Sequence, residues 1–187
     1  MTEFPTLHTP RLILGQLEIG DIPVILKYVD NPKITNNLRN VPHPYYEKDA
    51  IFWLNMVRQG FDSQTDYTFR LGLKETNEFI GAMSLLPKKP HHKAEAGYWI
   101  GEPFWNKGYA SEALSAVLKF GFEALELNKI YAMYYDYNPI SGKVMVKNGM
   151  VKEAELVDNE FKDGKFVTEI QYRLTKHEYK IFLNKVY

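Results

Sequence analysis

Apolar positions along the chain follow two rhythms, and their alternation maps the elements. From Ala110, the residues Ala113, Leu114, Val117, Leu118, Gly121, Phe122 and Leu125 recur at three- and four-residue intervals. That spacing is one face of an α-helix, here opening at Gly108 and closed by Leu127-Asn128. Shorter helical stripes precede and follow it. Ile22, Ile25, Leu26 and Val29 follow Asp21, a candidate N-cap, and Asn31-Pro32 ends that run. Lys48 to Phe61 predicts a second helix with Ile51, Leu54, Val57 and Phe61 inward. Asn138 to Asn148 predicts a third, with Pro139 in its first turn and Gly149 past its end. A terminal helix covers Lys176 to Asn184.

Between the helices lie runs of β-branched and aromatic residues. Thr9 to Leu14 reads as a first strand, which Pro10 limits to an edge or a strand start. Tyr67 to Leu73 and Phe79 to Leu85 flank the turn Glu75-Thr76-Asn77-Glu78, a hairpin signal. Glu95 to Gly101 and Lys129 to Tyr135 are further strands. Met150 to Leu156 and Val167 to Leu174 surround the turn Lys162-Asp163-Gly164-Lys165. Pro42-His43-Pro44 marks an irregular loop and Pro87 to Lys93 a basic one. Strands interleaved with helices in this order predict an α/β domain with a mixed sheet.

Composition narrows the picture by exclusion. The 187 residues suit one domain, residues 1–187, and 23 basic residues balance 23 acidic ones. Zero net charge gives no bulk attraction to nucleic acid or membrane, so neither is expected as a partner. No apolar run approaches the roughly 20 residues needed to span a bilayer. Met1-Thr2-Glu3-Phe4-Pro5 has no basic flank or apolar stretch of a signal peptide, so a cytoplasmic location is expected. Cysteine is absent, which excludes a thiol nucleophile and Cys-ligated zinc. His91-His92 lies on the basic loop without the helical spacing of a metal site; a solvated turn is expected, and no metal.

The main candidate for chemistry is Trp105-Asn106-Lys107-Gly108-Tyr109-Ala110-Ser111, a glycine turn between a strand and the long helix. The first N–H groups of a helix have no internal acceptor and carry partial positive charge, so such a turn can hold an anion. A dinucleotide loop needs three glycines, and only Gly108 is present. A P-loop needs Gly-Lys-Ser/Thr, whereas Lys107 precedes Gly108. A plain strand-to-helix connection is the alternative.

Taken together, these segments resemble the GNAT acetyltransferase superfamily, in particular its RimJ/RimL branch of ribosomal-protein N-terminal acetyltransferases. The matching pieces run in order: Thr9-Pro10-Arg11-Leu12 with Asp21, Gly97-Tyr98-Trp99-Ile100, Phe104 to Ala110 with Glu112-Ala113-Leu114, Asn138 with Ser141, and Lys147-Asn148-Gly149-Met150. Trp105 stands where the superfamily usually has Gln or Arg, as is typical of the branch. Met150 replaces the usual Phe, a volume-tolerant exchange.

The resemblance implies one GNAT domain with a mostly antiparallel sheet of about seven strands and helices on both faces. A cleft between the diverging Tyr98 and Ile130 strands is expected. It further implies acetyl-CoA as cosubstrate, bound through Tyr98, Trp99, Ile100, Asn106, Lys107, Gly108, Tyr109, Ala110, Ser111, Asn138 and Ser141. An N–H near Ile100 would polarise the thioester carbonyl. Ser141 would assist departure of the thiolate, since Met145 fills the position where many relatives carry a tyrosine. Glu160 fits the place of the branch's general base; a surface carboxylate without a role is the alternative, and Glu153 and Glu155 are rivals. For Asn138 and Ser141 the alternative is a helix cap and a solvent-facing hydroxyl. The implied activity is direct acetyl transfer to a protein N-terminus, ribosomal or other, or to a small-molecule amine, by a monomer or homodimer. A fold relative that binds acetyl-CoA as a sensor or scaffold is the competing class. The loops from Asn31 to Tyr46 are expected to form the acceptor wall.

Overall fold

Among the described residues eight strands form one sheet, one more than the seven or so expected. The structure is a computed structural model that describes residues 3–186, so Met1 and Thr2 of the N-terminal segment lie outside the described residues. In chain order the elements are β1 (Leu7–His8), β2 (Leu12–Gln16), α1 (Ile22–Val29), α2 (Pro32–Thr35), α3 (Glu47–Asp62), β3 (Tyr67–Leu73) and β4 (Phe79–Lys88). There follow β5 (Lys93–Ile100), α4 (Tyr109–Lys119), β6 (Lys129–Tyr135), α5 (Pro139–Lys147), β7 (Val151–Lys162), β8 (Lys165–Thr175) and α6 (Lys176–Val186). The sheet order is β1-β2-β3-β4-β5-β6-β8-β7. Every neighbouring pair is antiparallel except β5 and β6.

That one parallel pair shapes the molecule. β5 and β6 are in register only from Lys93↔Lys129 to Ala96↔Ala132. Beyond Ala96, β5 stays with β4 as far as Gly81↔Ile100. β6 stays with β8 as far as Tyr135↔Glu169. Each strand keeps its outer partner, and a wedge opens between them.

The core lies mainly between one sheet face and α4. Phe69, Leu71, Met83, Leu85, Ala94 and Ile130 are fully buried there with Leu114 and Val117. The apolar stripe predicted from Gly108 is therefore the face that packs on the sheet. α4 runs on through a π-helical turn at Phe120–Ala124. Gly121 in that turn lets helix meet sheet, because a Cβ there would lie 2.6 Å from Ile130 Cδ1. On the opposite face α3 brings Trp53 to Trp99, with ring centroids 6.4 Å apart. No helix of the described residues is long and apolar enough to cross a membrane.

Several local expectations are corrected. The strand expected from Thr9 begins only at Leu12, as β2, after the short β1 and a turn at Pro10; it lies inside the sheet between β1 and β3 with Leu12 and Leu14 buried. Asn31-Pro32 does more than end a helix. Asn31 Oδ1 accepts from the Lys33 N–H at 3.0 Å and caps α2, with Pro32 in its first turn. Asp21 does not cap α1 with its side chain; its carboxylate accepts from the Glu18 N–H (2.9 Å) and Arg70 Nε (2.8 Å). Leu54, Val57 and Phe61 of α3 pack on the core as expected, joined by Ala50 and Trp53, but Ile51 is exposed. β7 runs on past its expected end to Lys162, through an irregular register between Leu156 and Glu160 where Asp158 is left-handed (φ 51°); the polar residues there interrupt the apolar alternation, and β8 begins slightly early, at Lys165. The turn that joins them carries left-handed Asp163 (φ 50°) and Gly164 (φ 82°), as an Asp-Gly hairpin requires.

Asp66, between α3 and β3, is a carboxylate held at a cost. Burial raises its pKa from 3.8 to about 6, although Thr68 Oγ1 donates to it at 2.6 Å. A raised carboxylate pKa means that the folded state binds the proton more tightly. Its penalty is therefore absent below about pH 4 and complete above about pH 6. Asp66→Asn should raise the unfolding free energy at pH 7.5 by on the order of 2 kcal/mol and leave it unchanged at pH 3.5. Urea unfolding at the two pH values checks this; an equal gain at both would contradict it.

Candidate active site

The glycine turn takes its shape from two left-handed residues, Asn106 (φ 61°) and Gly108 (φ 81°). A side chain at 108 would be strained by that backbone and would also meet Arg11 Nη2 at 3.4 Å. α4 starts directly after it, and no side chain caps its first N–H groups. The helix dipole and those N–H groups therefore face the space in front of the turn.

A strap from the β1–β2 turn fixes this loop. Arg11 Nη1 donates to the Lys107 carbonyl (2.9 Å), and Arg11 Nε to Glu112 Oε2 (2.6 Å). The Arg11 N–H and Thr9 Oγ1 both reach Glu112 Oε1, at 2.8 and 2.6 Å. Burial opposes ionisation of Glu112, but these hydrogen bonds and the Arg11 charge outweigh it and hold its pKa below the ordinary value. Thr9-Pro10-Arg11 was legible only as a family marker; its physical role is to brace the turn.

β5 forms the second wall. Gly101 N–H bonds back to the Ile80 carbonyl at 2.8 Å, which sets the phase of the β4–β5 ladder. With that phase, Trp99 pairs to β4, while Tyr98 and Ile100 turn their N–H and C=O groups toward the wedge that β6 has left. Trp105 Nε1 donates to the Ile100 carbonyl at 2.6 Å.

α5 forms the third wall. Asn138 Nδ2 donates to Ser141 Oγ at 3.1 Å, and the buried Tyr98 hydroxyl donates to the Ser141 carbonyl at 2.9 Å. Burial raises the Tyr98 pKa, so its proton stays in place. Because Asn138 fills an acceptor site on Ser141 Oγ, the serine proton is left to point elsewhere. Met145 is buried under this helix and offers no proton.

The three walls enclose a cleft of about 350 Å³. Tyr98, Trp99, Ile100, Asn106, Gly108, Tyr109, Ala110, Ser111, Asn138 and Ser141 all line it. Lys107 does not; its carbonyl is turned to Arg11. Phe104, Trp105, Ile140, Lys143, Val144 and Lys147 also line it and were not among the expected cofactor residues. Lys143 and Lys147, one helical turn apart on α5, bring positive charge to the rim. Lys33, Ile34, Asn37 and Leu38 close the far side from α2 and its exit. The lysine spacing was visible in the sequence, and the α2 residues lie within the Asn31 to Tyr46 stretch expected as the acceptor wall.

Glu160 stands apart from the cleft lining. Its carboxylate pairs with Arg39 Nε at 3.3 Å and neighbours the Tyr135 hydroxyl, whose pKa is raised by burial and by Glu160. Arg39 also donates to Glu95 (2.8 Å) and through two nitrogens to buried Glu169 (2.9 and 2.6 Å). Tyr137 and Lys162 hold the same segment by its backbone, at the Asn36 carbonyl (2.8 Å) and the Leu38 carbonyl (3.0 Å). The expected acceptor wall is thus tied across to β5, β7 and β8. Glu153 is occupied by Lys129 and Gln171, and Glu155 by Lys152. His91 and His92 sit in the β4–β5 connection, where the His92 carbonyl accepts from Asn128 N–H at 2.7 Å.

A family model described as an acetyltransferase (GNAT) domain matches residues 11–151, well over half of the chain. The chain belongs to the GNAT acetyltransferase family. An uncharacterised N-acetyltransferase of Bacillus licheniformis, p20, is 32% identical over 177 residues, 93% of this chain and 98% of that one. Among solved structures, a spermidine N-acetyltransferase from Vibrio cholerae in complex with CoA and spermine superposes with a TM-score of 0.78 at 22% identity, over 92% of this chain and 99% of that one. The RimL ribosomal-protein acetyltransferase in complex with coenzyme A gives 0.84 at 16% identity, over 91% and 98%. These structures share the GNAT fold, including a sheet of this kind with helices on both faces. The protein is accordingly an acetyltransferase of the GNAT family, consistent with its RimJ/RimL branch.

Proposed function

We propose that this GNAT acetyltransferase moves the acetyl group of acetyl-CoA directly to a primary amine, either a protein N-terminus or a small-molecule amine. One observation carries the proposal: the uncapped start of α4 and the free edge of β5 face the same cleft. The first suits a pyrophosphate. The second offers the amide-rich pantetheine arm the ladder that β6 withholds. Lys143 and Lys147 stand where further phosphate charge would be met.

Acetyl-CoA supplies the thioester that is broken. The residues then divide the work. Gly108 to Ser111 bind the phosphates through backbone N–H groups. Tyr98 and Ile100 align the arm, and the Ile100 N–H donates to the acyl oxygen as negative charge builds there. Asn138 orients Ser141, whose hydroxyl donates its proton to the sulfur as the C–N bond forms and the C–S bond breaks, and regains one from the attacking nitrogen, which sheds its second proton as the amide forms. An α-amine has a pKa near 8 and is partly protonated at neutral pH, so a proton must leave first. Glu160 takes it through water, since its carboxylate lies outside the cleft lining. The absence of cysteine agrees with transfer that uses no thiol-bound acyl group.

A sensor that binds acetyl-CoA without turnover draws support from the same Glu160, held by Arg39 at 3.3 Å. Incubation with acetyl-CoA and a panel of peptides and polyamines, read as free thiol, separates the two. Thiol release with any amine supports the enzyme; tight binding without release supports the sensor.

Acetyl-CoA at 100 times its Kd should raise the unfolding free energy by about 2.7 kcal/mol. Gly108→Glu should abolish that gain, because it puts a bulky anion at a left-handed position in front of α4. A full gain in the variant would remove the loop from the site. Ser141→Ala should lower kcat by about 100-fold or more with acetyl-CoA affinity little changed; unaltered turnover would end its role as acid.

A further inference from the structure

Trp105 lines the cleft, and its polar side-chain atom is engaged by the protein's own backbone. Its Nε1–H donates to the Ile100 carbonyl at 2.6 Å. Its own backbone is fixed from the other side by a bond from the Trp105 N–H to the Glu102 carbonyl at 3.1 Å. Beneath it, Phe104 is buried edge-on against Tyr28, with ring centroids 5.8 Å apart. The indole is thus a short brace between the turn Glu102–Phe104 and the last residue of β5.

That position matters because Ile100 is where the strand loses its support. β6 has stopped pairing at Ala96, and the last β4 contacts are Gly81↔Ile100 and the Gly101 N–H to Ile80. In a strand the N–H and C=O of one residue point to the same side. Whatever holds the Ile100 carbonyl therefore also sets the direction of the Ile100 N–H. The brace has a second effect. A bare carbonyl oxygen in the cleft would repel an acyl oxygen gaining negative charge, and an indole N–H bound to it offsets that repulsion.

We propose that Trp105 is a positioning residue for the thioester carbonyl: by engaging the Ile100 carbonyl, it keeps the Ile100 N–H aimed at the acyl oxygen. This rests on the acetyl-CoA reading given above, and the test separates the two. The probe is acetyl-CoA labelled with carbon-13 at the acetyl carbonyl, observed by isotope-edited infrared spectroscopy on the full-length protein. Bound to the natural protein, the carbonyl stretch should fall below its value in free acetyl-CoA. Trp105→Phe keeps a ring in place and deletes the donor. Benzothienylalanine introduced at 105 replaces only the N–H by sulfur, so it preserves the packing should the Phe variant fold poorly. In either variant the lowering should shrink by at least about half, while CoA affinity by calorimetry stays within about threefold, a change below 1 kcal/mol. A full lowering in the benzothienyl protein would overturn the inference. Loss of CoA binding in that protein would also overturn it, since Trp105 would then be part of the binding wall. If the natural protein bound no CoA at all, the acetyl-CoA reading itself would fall.

Discussion

Buried backbone groups need partners, and this molecule leaves several without a strand neighbour at one place. β5 and β6 pair for four residues and then part. In most sheets such a fork would be closed by a side chain or by another strand, because an unmet N–H or C=O away from water is costly. Here the fork is kept open by the outer ladders, β4 holding β5 and β8 holding β6. In the proposed reading the Tyr98 peptide groups and the Ile100 N–H are the template for a ligand able to act as a strand, the Ile100 carbonyl being taken by Trp105 Nε1. The helices that pack on the sheet, α4 and α5, start at the mouth of the same fork, so a dipole, a template edge and a serine converge without any loop of unusual length.

Convergence alone would leave the glycine turn soft. Two left-handed residues within three positions give it little intrinsic preference for one shape. Arg11, Thr9 and Glu112 supply the missing rigidity from the far edge of the sheet. Glu112 lies in the first turn of α4, where a carboxylate is favoured by the dipole, yet it bonds to the strap instead of the helix's own N–H groups. That choice leaves the helix start free for a ligand. On the other side of the sheet, Arg39 ties the α2–α3 segment to carboxylates of β5, β7 and β8. Glu169 is buried and so depends on that guanidinium, which makes the pairing hard to undo. The segment expected to form the acceptor wall is therefore a braced surface.

Much of this was readable in the sequence where the signal is local. The stripe from Ala110 to Leu125, the strand Lys129–Tyr135, the Asp-Gly hairpin and the start of α5 at Asn138-Pro139 all state their own geometry through periodicity or turn chemistry. The cofactor-side residues followed from resemblance, and all but Lys107 line the cleft. What stayed hidden depends on contacts between distant segments. Ile51 has the right residue type and spacing for a buried face, yet it is exposed, while Trp53 on the same helix meets Trp99 of the sheet. Glu160 fits a sequence pattern, yet its surroundings are decided by Arg39, more than a hundred residues away. Trp105 was legible as a marker and became intelligible only through its bond to Ile100.

The central claim is that the open edge of β5 is completed by ligand. Site-resolved amide hydrogen exchange, with and without coenzyme A, tests it most directly. Tyr98 and Ile100 should exchange more slowly when coenzyme A is bound, while Trp99, already paired to β4, changes little. Exchange at Tyr98 and Ile100 that is unaltered at saturating coenzyme A would contradict the account.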